Sequence, residues 1–301
     1  MATFWKHLNE YVAFMLDYGT RDRPWWTAYP FKAVFFMTPP IVLAAALAGA
    51  VSIGWVRRAQ AFTIALFLVA FALPLLRIAA PGSNFYDANR HFLNYLPPLC
   101  ALAGVGVAAI VRAVPLLLRR LPRPLPVPRG TDVAAATLAS LVAVWPIAEY
   151  QPHETVYFNV FAGGLGGAQR MGLFHVDNAP DGRVNGTEGD YWWSSIRAGV
   201  EWAHAKEPGA PVALCGGARE LLPLELRESV TFSEVNNRQA LVFVGPREGW
   251  CRWATVRDLE SKRPILHRVE RGKGLVWEVL GPETGSQYEP LTMENAYTRT
   301  N

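Results

Sequence analysis

An α-helical membrane region of about four transmembrane helices, followed by a small extracytoplasmic α/β domain, is the fold class the sequence predicts. Three observations predict it. The 301 residues are 51% hydrophobic and only 18% charged, with a positive mean hydropathy. That is more apolar than an ordinary soluble domain and excludes a disordered or collagenous chain. The apolar residues gather in long runs within the first 150 positions. Charge divides at the same place: residues 1–150 carry 13 Lys and Arg against 6 Asp and Glu, whereas 151–301 carry 16 against 19. No basic stripe marks the second half, and phosphate tracking needs one, so nucleic acid is excluded as a partner.

Residues 1–30 read as an interfacial segment. Phe4, Trp5, Leu8, Tyr11, Val12 and Met15 fall near one helical face, and Arg21, Arg23, Trp25, Trp26 and Tyr29 supply the arginine and aromatic mixture suited to headgroup depth. The membrane region is 31–150. Phe31 to Trp55 is almost uninterrupted apolar sequence after Lys32, long enough to cross a hydrocarbon layer of about 30 Å at about 1.5 Å per residue. Further spans are expected near 59–80, with Arg77 snorkelling, 95–118 and 131–149. Four such runs as buried helices of a soluble core would need more polar shell than the chain supplies.

Positive charge in short loops stays cytoplasmic. Arg57-Arg58 and the cluster Arg119, Arg120, Arg123 and Arg129 belong inside. The N-terminal thirty residues, the loop after Arg77 and everything after Tyr150 then lie outside.

Residues 151–280 read as the α/β domain. A helix follows Asp190, carrying Trp193, Ile196, Val200 and Trp202 or Ala203 on one side, and ends by Pro208-Gly209. Strands are expected at Pro211 to Cys215 and Ala240 to Val244, with a helix over Ala218 to Glu225 between them. Ile265 to Val269 and Leu275 to Leu280 flank a glycine turn in a hairpin. Residues 281–301, polar and aperiodic, read as a flexible tail. Cys215 and Cys251 both fall in the outside domain, where they either form a disulfide or remain two separate buried thiols.

The six histidines and three cysteines show no metal-ligand spacing, so no metal site and no cofactor are assigned from the residues. Gly163-Gly164-Leu165-Gly166-Gly167 lacks a preceding strand and a clear following helix, so it is not a dinucleotide fingerprint. It reads as a tight turn or a turn whose amides face an anion. The informative loop is Tyr86 to His91. A guanidinium just outside the bilayer either binds a lipid-borne phosphate through its bidentate fork or is an ordinary interfacial arginine.

The order of motifs resembles the C-terminal portion of bacterial GT-C membrane glycosyltransferases of the protein mannosyltransferase and aminoarabinose transferase type. Thr38-Pro39-Pro40 lies in the first span, and Arg90-His91-Phe92-Leu93 with Pro97-Pro98 leads into the third. Pro152 to Asn159 and Gly163-Gly164 follow the last span, and Asp190-Tyr191-Trp192 with Ser194 to Trp202 resembles the family's DYWG-S-REAAEW segment. Together these cover Trp25 to Leu280.

The resemblance implies an integral protein of the bacterial inner membrane, with its C-terminal domain in the periplasm. It implies transfer of a sugar from a polyprenyl-phosphate donor to an acceptor on the outer face. A carboxylate base must take the acceptor proton, and cations or a divalent metal must stabilise the leaving phosphate. Arg90 and His91 take the role of lipid-phosphate binding, and Tyr157, Asn159, Asp190 and Tyr191 are candidates to line a groove. The family's acidic catalytic residue sits in an outside loop after an earlier transmembrane helix, a context that Glu10, Asp17 and Asp22 do not occupy. Met37 stands where the family often has Lys, and Trp193 replaces its Gly. The expectation is therefore an incomplete or split enzyme, with a separately encoded N-terminal half as partner. The alternative is a non-catalytic, membrane-anchored binding or assembly protein of the cell envelope.

Overall fold

A computed structural model describes residues 25–83, 90–119, 130–173, 189–190, 194–215, 219–245 and 256–284. The expected interfacial segment before residue 25 lies outside these. Two compact units divide the chain, one of Met1–Gln151 with Phe158–Phe161, the other of Pro152–Tyr157 with Ala162–Asn301.

The first unit is helical: α1 Tyr29–Met37, α2 Pro40–Val51, α3 Arg58–Ala79, α4 Leu96–Arg119 and α5 Thr131–Tyr150. Residues 58–79 and 92–113 form helices long and apolar enough to cross a bilayer, with mean hydropathy 2.3 and 1.8. Along α3, Phe62, Leu66, Val69, Leu73 and Leu76 form an exposed stripe at alternating spacings of four and three, a face that lipid tails would cover. In α5 only Ala136–Tyr150 reads as an apolar stretch, shorter than a full span, and Pro146 lies within it.

The single straight crossing expected over 31–55 is instead two helices bent by 113° at Thr38-Pro39, a third span only if the bent pair counts as one. The cause is chemical. Phe35 and Phe36 would pass their carbonyls to the amides of residues 39 and 40, and both are prolines without an N–H. Thr38, preceding proline, is driven extended (φ −105°, ψ 137°). Hydropathy registers the apolar character of this run but not its missing donors.

α2 packs most extensively on α4, and two glycines allow it. A Cβ at Gly49 would collide with the Leu102 carbonyl, and one at Gly106 with the Ala45 carbonyl, so the backbones approach as in small-residue membrane helix pairs.

The second unit contains α6 Gly164–Met171, α7 Ile196–Lys206, β1 Val212–Cys215, α8 Leu224–Ser229, β2 Phe232–Ser233, β3 Leu241–Val244, α9 Val256–Lys262, β4 Ile265–Arg271 and β5 Gly274–Leu280. Its mixed sheet has the order β2-β1-β3-β5-β4, with β1 parallel to both β2 and β3 and the hairpin β4–β5 antiparallel. The alternation along β3 separates two faces. Phe243 points to α7, where Gly199 leaves room for its ring, while Val242 and Val244 join Ala213, Cys215, Leu259 and Leu280 on the other side. On α7, Ile196, Gly199, Val200 and Ala203 are buried. Trp202 is half-buried, stacked on His267 at 4.6 Å.

Two sequence expectations change here. The helix over 218–225 is a short 3-10 turn, Arg219–Leu221, and a separate α8, because Pro223 disfavours helix at the residue before it. The first residues of the expected tail are tied to the sheet unit: Glu283 N donates to Arg238 O at 2.8 Å and Thr284 N to Lys262 O at 2.9 Å. Residues beyond 284 lie outside the described set.

Candidate lipid-phosphate site

α3 ends in a well-capped turn. Ala80 N donates to Leu76 O at 3.0 Å, Thr27 N to Ala79 O at 2.9 Å, and Ser83 Oγ to Arg77 O at 2.5 Å. α4 is reached through a 3-10 turn, Arg90–Tyr95, kinked at Phe92 (φ −140°, ψ 28°). Phe92 and Tyr95 are buried, and Tyr95 meets Phe71 edge-on at 6.2 Å and Phe92 at 5.7 Å. These rings pin the turn to α3. Between them opens a cleft of about 320 Å³ lined by Leu73, Pro74, Arg77, Ile78, Phe92 and Asn94.

Arg77 and Asn94 are exposed, and neither side chain makes a hydrogen bond or ion pair among the described residues. Arg90 and His91 open the same 3-10 turn, but their side chains lie outside the described residues. Sequence reasoning treated Arg77 as a snorkelling residue of the second span. The overlooked signal was its position three residues after Pro74, at the end of the span.

The groove candidates divide between the two units. Asn159, 1% exposed, belongs to the helical unit and repairs the break between α1 and α2. Its Nδ2 donates to Phe35 O at 2.6 Å and Thr38 O at 2.8 Å, its backbone N donates to Phe36 O at 2.8 Å, and its Oδ1 accepts from Phe161 N at 3.0 Å. The two carbonyls left without partners by the proline pair are those it satisfies. Phe161 stacks on Phe35 at 5.2 Å beside it.

Asp190, equally buried, belongs to the other unit. Its carboxylate accepts from Ser195 N at 2.6 Å and Ser194 Oγ at 3.0 Å, fixing the start of α7 as an acidic group at a helix N-terminus does. Tyr157 is half-buried, and Tyr191 lies outside the described residues.

Buried ionisable groups of the sheet unit are structural as well. Arg263 donates through Nη1 to Ala240 O at 2.7 Å and Gly281 O at 3.0 Å, and through Nη2 to Asn237 O at 2.8 Å. It ties three loop carbonyls to the end of α9, and burial lowers its pKa. His153 accepts a hydrogen bond from Trp277 Nε1 at 3.4 Å, and desolvation pushes its pKa down against the nearby Asp190 charge.

Glu278, fully buried on β5, receives Arg268 at 2.7 Å, and Arg268 also holds Glu260 of α9 at 2.7 Å. Desolvation lifts Glu278 to about 7, against the pull of Arg268. A carboxyl with a raised folded pKa holds its proton more tightly folded than unfolded. Its contribution is greatest below the ordinary carboxylate value and is lost as pH rises toward about 7. The stability of the intact protein, followed by its melting temperature, is expected to fall as pH rises from 4.5 to 7.5, by an amount on the order of 1 kcal/mol or more. Glu278→Gln should flatten that slope, and an unchanged slope would exclude Glu278 as its source.

The glycine run makes the expected tight turn and then serves as a packing surface. A helix does follow it: Gly163 and Gly164 adopt φ of +71° and +69°, and α6 begins at once. Gly166 N donates to Gly272 O at 3.0 Å, and a Cβ at Gly166 would overlap the Lys273 carbonyl. The run is a seat for the β4–β5 turn. Cys215 is disulfide-bonded and Cys100 free, while Cys251 lies outside the described residues. Among the described residues no group of three or more His, Cys, Asp or Glu could hold a metal ion, so the divalent metal implied by the resemblance has no fitting donor set there. No family model matches the chain, and no curated protein or solved structure matches it.

Proposed function

We propose that this chain is a multi-pass component of a polyprenyl-phosphate-dependent glycosyltransferase, working at the outer face of a bacterial inner membrane. In this reading Arg90 and His91 hold the donor phosphate, a separately encoded half contributes the carboxylate base, and the sheet unit is periplasmic. The observation that carries it is the turn itself: Arg90 and His91 begin the 3-10 segment whose next residues, Phe92 and Asn94, wall an amphipathic cleft at the end of a membrane-length helix. The motif order from Thr38-Pro39-Pro40 to Asp190-Tyr191-Trp192 supports the family assignment. The disulfide at Cys215 supports an oxidising compartment for the sheet unit.

A photoreactive polyprenyl phosphate should label the peptide containing Arg90–Tyr95 in the purified full chain. Arg90→Ala should reduce that labelling about tenfold or more, the loss of one charge-assisted contact. Sugar transfer should appear only when the second half is added. Transfer by this chain alone would place the base within it, and unchanged labelling of the variant would remove Arg90 from the site. A second reading, a non-catalytic envelope binding or assembly protein, is favoured by Asn159 and Asp190, whose polar groups are committed to structural hydrogen bonds. Labelling without transfer in the presence of the second half would select it.

A further inference from the structure

We propose that Arg77 and Asn94 form a lipid-phosphate site of their own. The phosphate would lie between the guanidinium and the amide, and the lipid chain would run along Leu73, Pro74, Ile78 and Phe92. The inference shares its cleft and its ligand chemistry with the function proposed above but assigns the phosphate to different residues, and it holds even if no sugar is transferred.

The cleft combines the two properties such a ligand requires. Four of its six lining residues are apolar, and the other two are a full positive charge and an amide donor, neither engaged by any described residue. It sits in the last turn of a membrane-length helix, where headgroups gather. Its apolar wall is preformed: Phe92 is 1% exposed and Ile78 6%, whereas Leu73 is exposed at 60% and continues into the outward stripe of α3. A chain lying on that stripe reaches the cleft without crossing polar surface.

One effect opposes an anion here, because a helix C-terminus carries about half a negative charge on its free carbonyls. In this helix the opposing charge is muted. The carbonyls of Leu76, Arg77 and Ala79 are already hydrogen-bonded by Ala80 N, Ser83 Oγ and Thr27 N. The whole charge of Arg77, at contact distance and next to apolar walls, then outweighs what remains. Asn94 adds two neutral N–H donors that can donate to one or two phosphate oxygens, so the site fits a phosphate monoester or a diester. Polyprenyl phosphate and an anionic phospholipid share that chemistry.

The test uses the full chain in phosphatidylcholine nanodiscs with two separate photoactivatable probes, a polyprenyl monophosphate and a phosphatidylglycerol, and maps the labelled peptides. Label on the peptides carrying Leu73–Ile78 and Phe92–Asn94, reduced about tenfold or more by Arg77→Ala, supports the site. Which probe shows that dependence identifies the source of the phosphate. Leu73→Trp, which fills the cleft without altering charge, should abolish the same label and covers the case in which Arg77→Ala does not fold. Label that survives both variants, or that inorganic phosphate displaces at the concentration of the lipid probe, overturns the inference. Selective loss with Arg77→Ala alongside no effect of Arg90→Ala would sustain this site while removing the donor site proposed above.

Discussion

Asn159→Asp should lower the stability of the intact protein by roughly 2–5 kcal/mol, read as a fall in the melting temperature in mild detergent. The size follows from what the amide faces. Nδ2 donates to two carbonyls, Phe35 O and Thr38 O, and a carboxylate there would set negative charge against both acceptors in a buried position. Asn159→Ala should have a smaller effect, because it leaves the same carbonyls unsatisfied without adding repulsion. The backbone bond from Asn159 N to Phe36 O remains in both. Restoring a main-chain donor provides the internal control: Pro39→Ala gives Phe35 O the amide it lacks, so it should recover part of the loss in Asn159→Ala. If Asn159→Asp melts with the parent protein, the repair of the proline break is not what stabilises this segment.

Gly106→Leu should be at least as damaging, and through packing rather than polarity. A Cβ at Gly106 points into the Ala45 carbonyl, which is backbone and cannot swing aside, and the Gly49 amide lies close behind. Accommodating a side chain requires α2 and α4 to separate along the length where they meet. Overpacking of this kind typically costs about 1–3 kcal/mol even where neighbours can move, and here they cannot. The expected outcome is a protein recovered at sharply lower yield, with residual folded material melting far below the parent. Gly104, with open space around its Cβ position, is the matched control on the same helix. Gly104→Leu should be nearly neutral in the same measurement, since leucine is the better helix former, and equal damage from both would show that added bulk anywhere on α4, not the α2–α4 contact, is responsible.

Long apolar periodicity was sufficient to locate α3 and α4: spans expected near 59–80 and 95–118 are helices Arg58–Ala79 and Leu96–Arg119. The buried strands were equally legible, because VALC and LVFV are short apolar runs bounded by turn residues. What escaped the sequence depended on partners far along the chain. The proline pair is visible at 39–40, but the amide that answers it lies at position 159. The Arg263 side chain resembles any surface arginine until loops at 237, 240 and 281 converge on it. β2 spans only Phe232–Ser233, too short for any period to register. The Arg90 loop was singled out from chemistry alone, whereas Arg77 emerged only when α3 and the 3-10 turn were seen to enclose a space.

The turn at Gly272-Lys273, with φ of +50° and +62°, has a practical consequence. Two-residue hairpin tips are the customary place to graft an epitope or a reporter, since they project into solvent and tolerate extra length. This one is seated against Gly164 and Gly166 and hydrogen-bonded to the latter, so added residues would lift the hairpin off its support and leave α6 uncovered. Tags for mapping which side of the bilayer the sheet unit faces belong instead at Gly209, where φ is +87° and nothing lies within 4 Å of a Cβ.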